Sequence, residues 1–142
     1  MFYRRTCRDL AEFLIRNGAR VNEDLVELWR RIIFYICVSN TDDHLRNHGF
    51  IPTDNGWILS PAYDINPVEK GTGLSLNISE KDNALELDLA MEVAPYFRIS
   101  EKQARKTVEV VKKSVSKWNH FAEKNGISKA ERNTMANAFR CL

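Results

Sequence analysis

A strongly apolar helix that runs straight into a cluster of polar side chains is the feature that most limits this chain. Leu25, Trp29, Ile32 and Ile36 form one stripe, and Val26, Ile33 and Cys37 form its neighbour. A helix with an apolar arc this wide is buried against several partners. Asn22 is the expected N-cap, with Glu23 and Asp24 in the first turn, where the helix dipole favours negative charge. The helix then delivers Asn40-Thr41-Asp42-Asp43-His44-Leu45-Arg46-Asn47-His48-Gly49-Phe50. From Asn40 to His48 stand two carboxylates, two imidazoles, a guanidinium and two carboxamides. Such groups are rarely buried without partners, so no core needs them. They read as a site carried on a rigid support.

The next stretch folds back on this one. His48 to Ile51 and Trp57 to Ser60 flank Pro52-Thr53-Asp54-Asn55-Gly56. Asn-Gly between apolar segments predicts a tight hairpin. That hairpin would return Ser60-Pro61-Ala62-Tyr63-Asp64-Ile65-Asn66-Pro67 toward Asp42. Asp42 and Asn47 have the D-x-x-x-x-N spacing of a protein-kinase catalytic loop, in which the Asp accepts the proton of the attacking hydroxyl and the Asn holds magnesium. A kinase also needs a metal-holding Asp beyond a following hairpin, and Asp64 stands there. Mg²⁺ takes hard oxygen ligands, usually one or two carboxylates plus substrate phosphates.

Together, T-D-x-H-x-[KR]-N at Thr41 to Asn47 and P-x-Y-D-[IL] at Pro61 to Ile65 resemble the C-terminal domain of the HipA-like toxin serine/threonine kinases. The resemblance covers nearly the whole chain, including the region around Trp118. It implies Asp42 as catalytic base, Asn47 and Asp64 as Mg²⁺ ligands, and His44 and Arg46 as residues that shape the loop and face the phosphates of ATP. It also implies an N-terminal lobe carrying an ATP-phosphate loop and a strand lysine. The sequence contains no G-x-G-x-x-G and no G-x-x-x-x-G-K-[ST]. Its one glycine-rich spot, Lys70-Gly71-Thr72-Gly73, follows Asp64. The expectation is therefore half a kinase, by truncation, gene splitting or excision, and inactive alone. The expected protein partners are the missing lobe and a DNA-binding antitoxin, so nucleic acid would be met only indirectly. Apolar surface left by a missing lobe would also suit a homodimer. The rival expectation is a non-catalytic binding module that retains the antitoxin contact.

The remaining sequence predicts a mainly α chain, residues 1–142 as one domain, with a small β-hairpin beside the loop. Thr6 caps a first helix with Leu10, Phe13 and Leu14 inward, and Asn17-Gly18 ends it through a left-handed glycine. Leu74 to Ile78 alternates like a short strand, and Leu85 to Val93 reads as a short helix ending near Pro95. Ser100 to Gln103 is a capping box. It opens a long helix that buries Ala104, Val108, Val111, Val115, Trp118 and Ala122 and ends at Asn125-Gly126. Ser128 to Glu131 opens a last helix, with Met135, Ala138 and Phe139 on one side. The 142 residues are 44% hydrophobic and 28% charged, with net charge +2. That balance leaves no strong electrostatic footprint for nucleic acid. Cys7, Cys37 and Cys141 are too scattered for a disulfide framework or a zinc ribbon. No apolar run reaches the roughly 18 residues of a membrane span, and the expected location is the cytoplasm.

Each site residue also has a plainer reading. Asp42 and Asp43 after a helix are good turn residues, because their side chains bond nearby amides; Asp43 reads as a turn or cap rather than a second base. Arg46 either faces phosphate or pairs with Asp43 or Asp54. His44 and His48 stand four apart, which suits zinc on a helix, but Leu45 occupies the Glu position of H-E-x-x-H. His48 otherwise packs at the start of the hairpin, and His44 holds the loop in shape.

Overall fold

The computed structural model describes residues 6–71, 73, 78 and 86–140. The architecture is mainly helical with one two-stranded antiparallel sheet. Helix α1 spans Cys7–Asn17 and α2 spans Val21–Val38. Strands β1, Phe50–Thr53, and β2, Gly56–Leu59, form the hairpin. Helices α3, Leu87–Val93, α4, Glu101–Val115, α5, Trp118–Lys124, and α6, Lys129–Met135, complete the order.

Helix α2 is the centre of the core. Leu25, Leu28, Trp29, Ile32, Ile33, Tyr35, Ile36 and Cys37 are all at most 1% exposed. Helices α1, α3, α4 and the hairpin pack around it. The buried arc is wider than the two expected stripes and takes in Leu28 and Tyr35, while Val26 lies at its edge and is exposed. Trp29 donates its indole N–H to the Ala90 carbonyl at 2.9 Å, which ties α3 to α2 and satisfies the polar edge of a buried ring. Leu10 and Leu14 of α1 are buried as expected. Phe13 is half-buried and packs on Phe50 and Trp57, with centroids 4.5 and 5.9 Å away. Thr6 and Asp9 form the capping box of α1, with the Thr6 N–H donating to Asp9 Oδ2 at 2.6 Å.

The structure corrects four local expectations. Asn22 is inside α2, not its cap; the helix starts at Val21, and the Asn22 carboxamide oxygen instead accepts from Arg98 at 2.9 Å. Gly18 ends α1 in extended backbone, φ −75°, not in the left-handed region. Glycine is needed there for space: a Cβ would lie 2.4 Å from the Leu14 carbonyl oxygen. The chain leaves that point along β2, with the Ala19 N–H donating to the Trp57 carbonyl at 2.8 Å. The hairpin turn is Asp54-Asn55, because Thr53 pairs with Gly56, one residue earlier than the Asn-Gly signal suggests. The long C-terminal helix is two helices. Between α4 and α5 the Ser116 hydroxyl donates to the Lys113 carbonyl at 2.8 Å, and the Lys117 N–H reaches back only to Ser114. A serine competing for the backbone in this way bends a helix.

Both later capping boxes form, at Ser100 with Gln103 and at Ser128 with Glu131. The short helix expected from Leu85 is present as α3, followed by a 3-10 turn over Ala94–Phe97 that contains Pro95. Of the expected strand from Leu74 to Ile78, the first four residues lie outside the described residues; Ile78 is buried. Trp118 stacks flat on Phe139, 4.2 Å between centroids, and so docks the C-terminal tail. An apolar cavity of about 390 Å³ opens beside this stack, lined by Trp118, Phe121, Ile127, Met135 and Phe139, with Pro67 at its edge. Among the described residues, no helix is long and apolar enough to cross a membrane.

Candidate functional site

Helix α2 ends at Ser39, whose φ of 54° is left-handed. This residue turns the chain out of the helix, and its N–H still reaches the carbonyls of Tyr35 and Ile36. The departure is held from the other end of the molecule. The Ser39 hydroxyl donates to the Ala138 carbonyl at 2.6 Å, and the Arg140 N–H donates to the Cys37 carbonyl at 2.9 Å. A left-handed, non-glycine residue costs free energy of order 1 kcal/mol and persists where surrounding contacts fix it.

Asn40 follows, 1% exposed, with its N–H on the Tyr35 carbonyl. Its side-chain oxygen accepts from the Asn66 N–H at 3.2 Å. The Tyr63 hydroxyl donates to the Arg46 carbonyl at 2.7 Å, and the Val68 N–H donates to the Ser39 carbonyl at 3.1 Å. Three bonds therefore hold the Tyr63–Val68 segment against the Ser39–Asn47 stretch. Gly71 lies against the same loop; a Cβ there would stand 2.1 Å from the Thr41 methyl group. Across the hairpin, the Arg31 guanidinium bridges Glu27 at 3.0 Å and the Ser60 carbonyl at 2.8 Å, which anchors the start of the second segment on α2. Buried Asp24 does the same for β2, accepting the Leu59 N–H at 2.9 Å.

The five residues singled out from sequence fall into two groups. Asp42, His44, Arg46 and Asn47 lie on one loop whose second half is a 3-10 turn, Leu45–Asn47. The side chain of Asp42 is 74% exposed, open to a substrate. Asn47 is buried, and its amide N–H donates to the Asp42 carbonyl at 3.1 Å. His44 Nε2 lies 4.0 Å from Asp42 Oδ1 and 3.4 Å from an Arg46 guanidinium nitrogen. Carboxylate, imidazole and guanidinium are therefore contiguous. Arg46 pairs with neither Asp43 nor Asp54 among the described residues.

Asp64 stands on the second segment, exposed, with φ 54°. The Asn66 amide donates to its Oδ1 at 2.9 Å, so its hydrogen-bond partner is a neighbour and not a side chain of the Asp42–Asn47 loop. The Tyr63 hydroxyl bond and the Asn66 backbone bond on either side bring the residue to the loop. Strained backbone at an exposed acid, fixed on both flanks, is the pattern that functional positions show.

Beneath the loop lies a pair that its turn-forming sequence conceals. The Asp43 backbone closes the turn from Asn40, but its side chain does not cap the turn. It is 1% exposed, and its Oδ1 lies 2.8 Å from Nε2 of buried His48. Tyr35 stands edge-on to the His48 ring at 6.1 Å. Burial first, and then the Asp43 carboxylate, push the ionisation of Cys7 and Tyr35 well above their ordinary ranges. Cys7 is thus an unreactive core thiol.

The donor set can be tested against a magnesium ion. Among the described residues, no three His, Cys, Asp or Glu side chains converge on a metal position. Mg²⁺ bound through one or two protein oxygens and substrate phosphates needs no such cluster. The Asn47 N–H is committed to Asp42, which leaves the carboxamide oxygen for a ligand, and Asp64 keeps a second carboxylate oxygen beyond its bond to Asn66. These two oxygens are of the hard type that Mg²⁺ takes.

Comparison with known families places the chain on the same ground. The model of the HipA-like C-terminal domain matches residues 2–118. The chain belongs to that family. Among curated proteins no relative matches it. In this HipA-like chain the family match takes in the loop, the Asp64 segment and α1 to α4, and stops as α5 begins. Asn40, Tyr63 and Asn66, which join the two segments, flank the singled-out residues in sequence. Their polar character was visible; their pairing was not, because it depends on the hairpin closing.

Proposed function

We propose that this chain is the catalytic-loop lobe of a Mg²⁺–ATP-dependent serine/threonine kinase of the HipA-like type, working in a toxin–antitoxin system. One observation carries the reading. The Tyr63–Arg46 and Asn66–Asn40 bonds seat the Asp64 segment on the Asp42–Asn47 loop, 2.7 and 3.2 Å long. Two sequence segments with kinase-like spacing are thereby built into one surface.

Asp42, exposed and beside His44, is the residue to orient an acceptor hydroxyl and take its proton as the phosphoryl group transfers. Arg46 and His44 would face the phosphates, the guanidinium offering a planar fork of donors. Asn47 and Asp64 would hold the magnesium ion, which when bound neutralises charge on the phosphates. The part-buried bond from Asn47 to Asp42 keeps the metal-side residue in register with the base. Because the sequence has no phosphate-cradling glycine motif, that part and a nucleotide lysine would come from a separate lobe. A DNA-binding antitoxin would be a further protein partner, with DNA met through it.

The test is calorimetry of Mg²⁺–ATP binding by the chain and by Asp64→Asn. Magnesium-dependent binding that Asp64→Asn abolishes is the expected result. With a complementing lobe, Asp42→Asn should lower turnover by about 10²-fold or more, the usual scale for a general base. Near-normal turnover after both changes would sink the assignment.

A further inference from the structure

We propose that Asp43 and His48 form a positioning clamp that fixes the spacing between Asp42 and Asn47. This rests on the phosphoryl-transfer reading for its functional consequence, but the clamp itself is a matter of geometry. Asp43 directly follows Asp42, and His48 directly follows Asn47. Their side chains meet at 2.8 Å, 0% and 1% exposed. A second, part-buried bond of the same span runs from the Asn47 side-chain amide to the Asp42 carbonyl at 3.1 Å. Two bonds, each joining residues five apart, therefore cross one loop side by side. One is partly buried beside the exposed Asp42 side chain, and the other is in the core.

The loop needs such a device. Its regular backbone bonding is sparse: the Asp43 N–H reaches Asn40 only at 3.4 Å, and the single 3-10 turn closes through His44 and Leu45 at 2.8 and 3.2 Å. The clamp's surroundings keep it stiff. Tyr35 of α2 packs edge-on to the imidazole. The second oxygen of Asp43 and Nδ1 of His48 are buried with no protein partner among the described residues. Each member thus spends its one protein hydrogen bond on the other. Whichever of the two holds the proton, the bond has a donor and an acceptor. A buried hydrogen bond between an acid and an imidazole, in low dielectric, is among the stronger tethers available to a loop.

The clamp also explains why the loop carries two adjacent aspartates with opposite environments. Asp42 is exposed and faces outward; Asp43 is buried and faces the core. Backbone alternation through the turn sends one carboxylate to chemistry and the other to the anchor. Both are positioned by the same few residues, so a shift of the anchor is a shift of the base.

The experiment is amide hydrogen exchange on the whole chain, wild type against Asp43→Ala and Asp43→Asn, reading residues 42–48 beside the core of α2. Cutting the clamp should speed exchange of the loop amides roughly tenfold or more while α2 amides keep their protection. Asp43→Asn, which retains an oxygen acceptor for His48, should restore most of the protection. His48→Phe, which keeps the ring volume against Tyr35, is the second way to cut the bond should Asp43→Ala not fold. Loop exchange that is unchanged, or that rises only in step with α2, would overturn the clamp. Mg²⁺–ATP titration of the same variants reads the positioning role: affinity should fall about tenfold in Asp43→Ala and recover in Asp43→Asn. Unchanged affinity with a loosened loop would overturn that role. Absence of binding in the wild type would count against the phosphoryl-transfer reading, and the clamp would then stand or fall on exchange alone.

Discussion

Helix α2 and the pair α5–α6 show two ways of holding a helix in one small protein. Eleven of the 18 residues of α2 are buried, and its side chains reach α1, α3, α4 and the hairpin. Helices α5 and α6 have no buried residue. They are held by a capping box at Ser128, by the Trp118–Phe139 stack and by one partly exposed pair, Arg132 with Glu123 at 3.3 Å. Beside them a cavity of about 390 Å³ remains open. The candidate site grows from the C-terminal end of α2. The lesson is one of leverage: a loop with little regular structure inherits stiffness from the most buried element, while the outer helices open at low cost.

The comparison breaks most easily at Trp29. Trp29→Ala removes a fully buried ring and its bond to Ala90, and should cost about 3–5 kcal/mol, enough to unfold much of the population. Phe121→Ala, on the exposed face of α5, should stay within about 0.5 kcal/mol. Urea denaturation of both variants decides it, and similar midpoints would show that the two regions are not held differently.

A smaller loss is expected at Asp24, where α2 meets the hairpin. Asp24→Ala leaves the buried Leu59 N–H without its acceptor and frees Arg20, at a cost of about 1–3 kcal/mol. Since Leu59 and Ser60 begin the segment that carries Asp64, amide exchange at Trp57–Leu59 should rise more than at α1. Equal rises at both would mean that the hairpin is secured by its own turn and not by α2.

Ser39 tests the join between the two regions. Ser39→Ala deletes the hydroxyl that reaches Ala138 and should cost about 1 kcal/mol. The Arg140 amide, bonded to Cys37, is the reporter. Its exchange should quicken while Leu28 to Ile33 stay protected. If the tail remains protected, the Trp118–Phe139 stack alone suffices to dock it.

How much of this was legible depended on the range of the interaction. Contacts repeated along one element were clear: the burial of Leu25, Trp29, Ile32 and Ile36, the Thr6 cap, the capping boxes at Ser100 and Ser128, and a hairpin around Asp54 to Gly56. Details set by a partner element were not. Gly18 looked like a left-handed stop, but the close approach of the Leu14 carbonyl and the bridge to β2 decide its conformation. Asn22 looked like a cap, but Arg98, far along the chain, uses its side chain. Ser116 sits within an unbroken apolar rhythm, and only its bond to Lys113 divides the helix. At the site, residue types and spacing singled out Asp42, Asn47 and Asp64. The Asp43–His48 pair carried a signal too, since it repeats the Asp42–Asn47 spacing one residue on. That signal was masked because Asp after a helix so often serves as a turn residue.

The smallest expected effect is at the start of α6, and it depends on pH. The Ser128 N–H and hydroxyl both donate to Glu131 Oε2, at 3.1 and 2.7 Å, and the Glu131 N–H donates back to the Ser128 hydroxyl oxygen at 3.2 Å. Side-chain and then backbone bonds from Ser128 lower the Glu131 carboxyl below its ordinary range. A carboxylate depressed in the folded state adds stability above its unfolded pKa, about 4.3 for Glu, and loses it as pH falls through the lower folded value. The carboxylate is fully exposed, so solvent screens it and the effect stays local. Acidification from neutral pH to about 3 should therefore move the carbon chemical shifts of 129–131 toward coil values before those of α2 change. Ser128→Ala should show the same fraying already at neutral pH and little further change with acid. A capping turn that kept helical shifts through this range would mean that the Trp118–Phe139 dock, not the capping box, holds α6. The contrast with α2 would then be one of degree, with tertiary packing governing both.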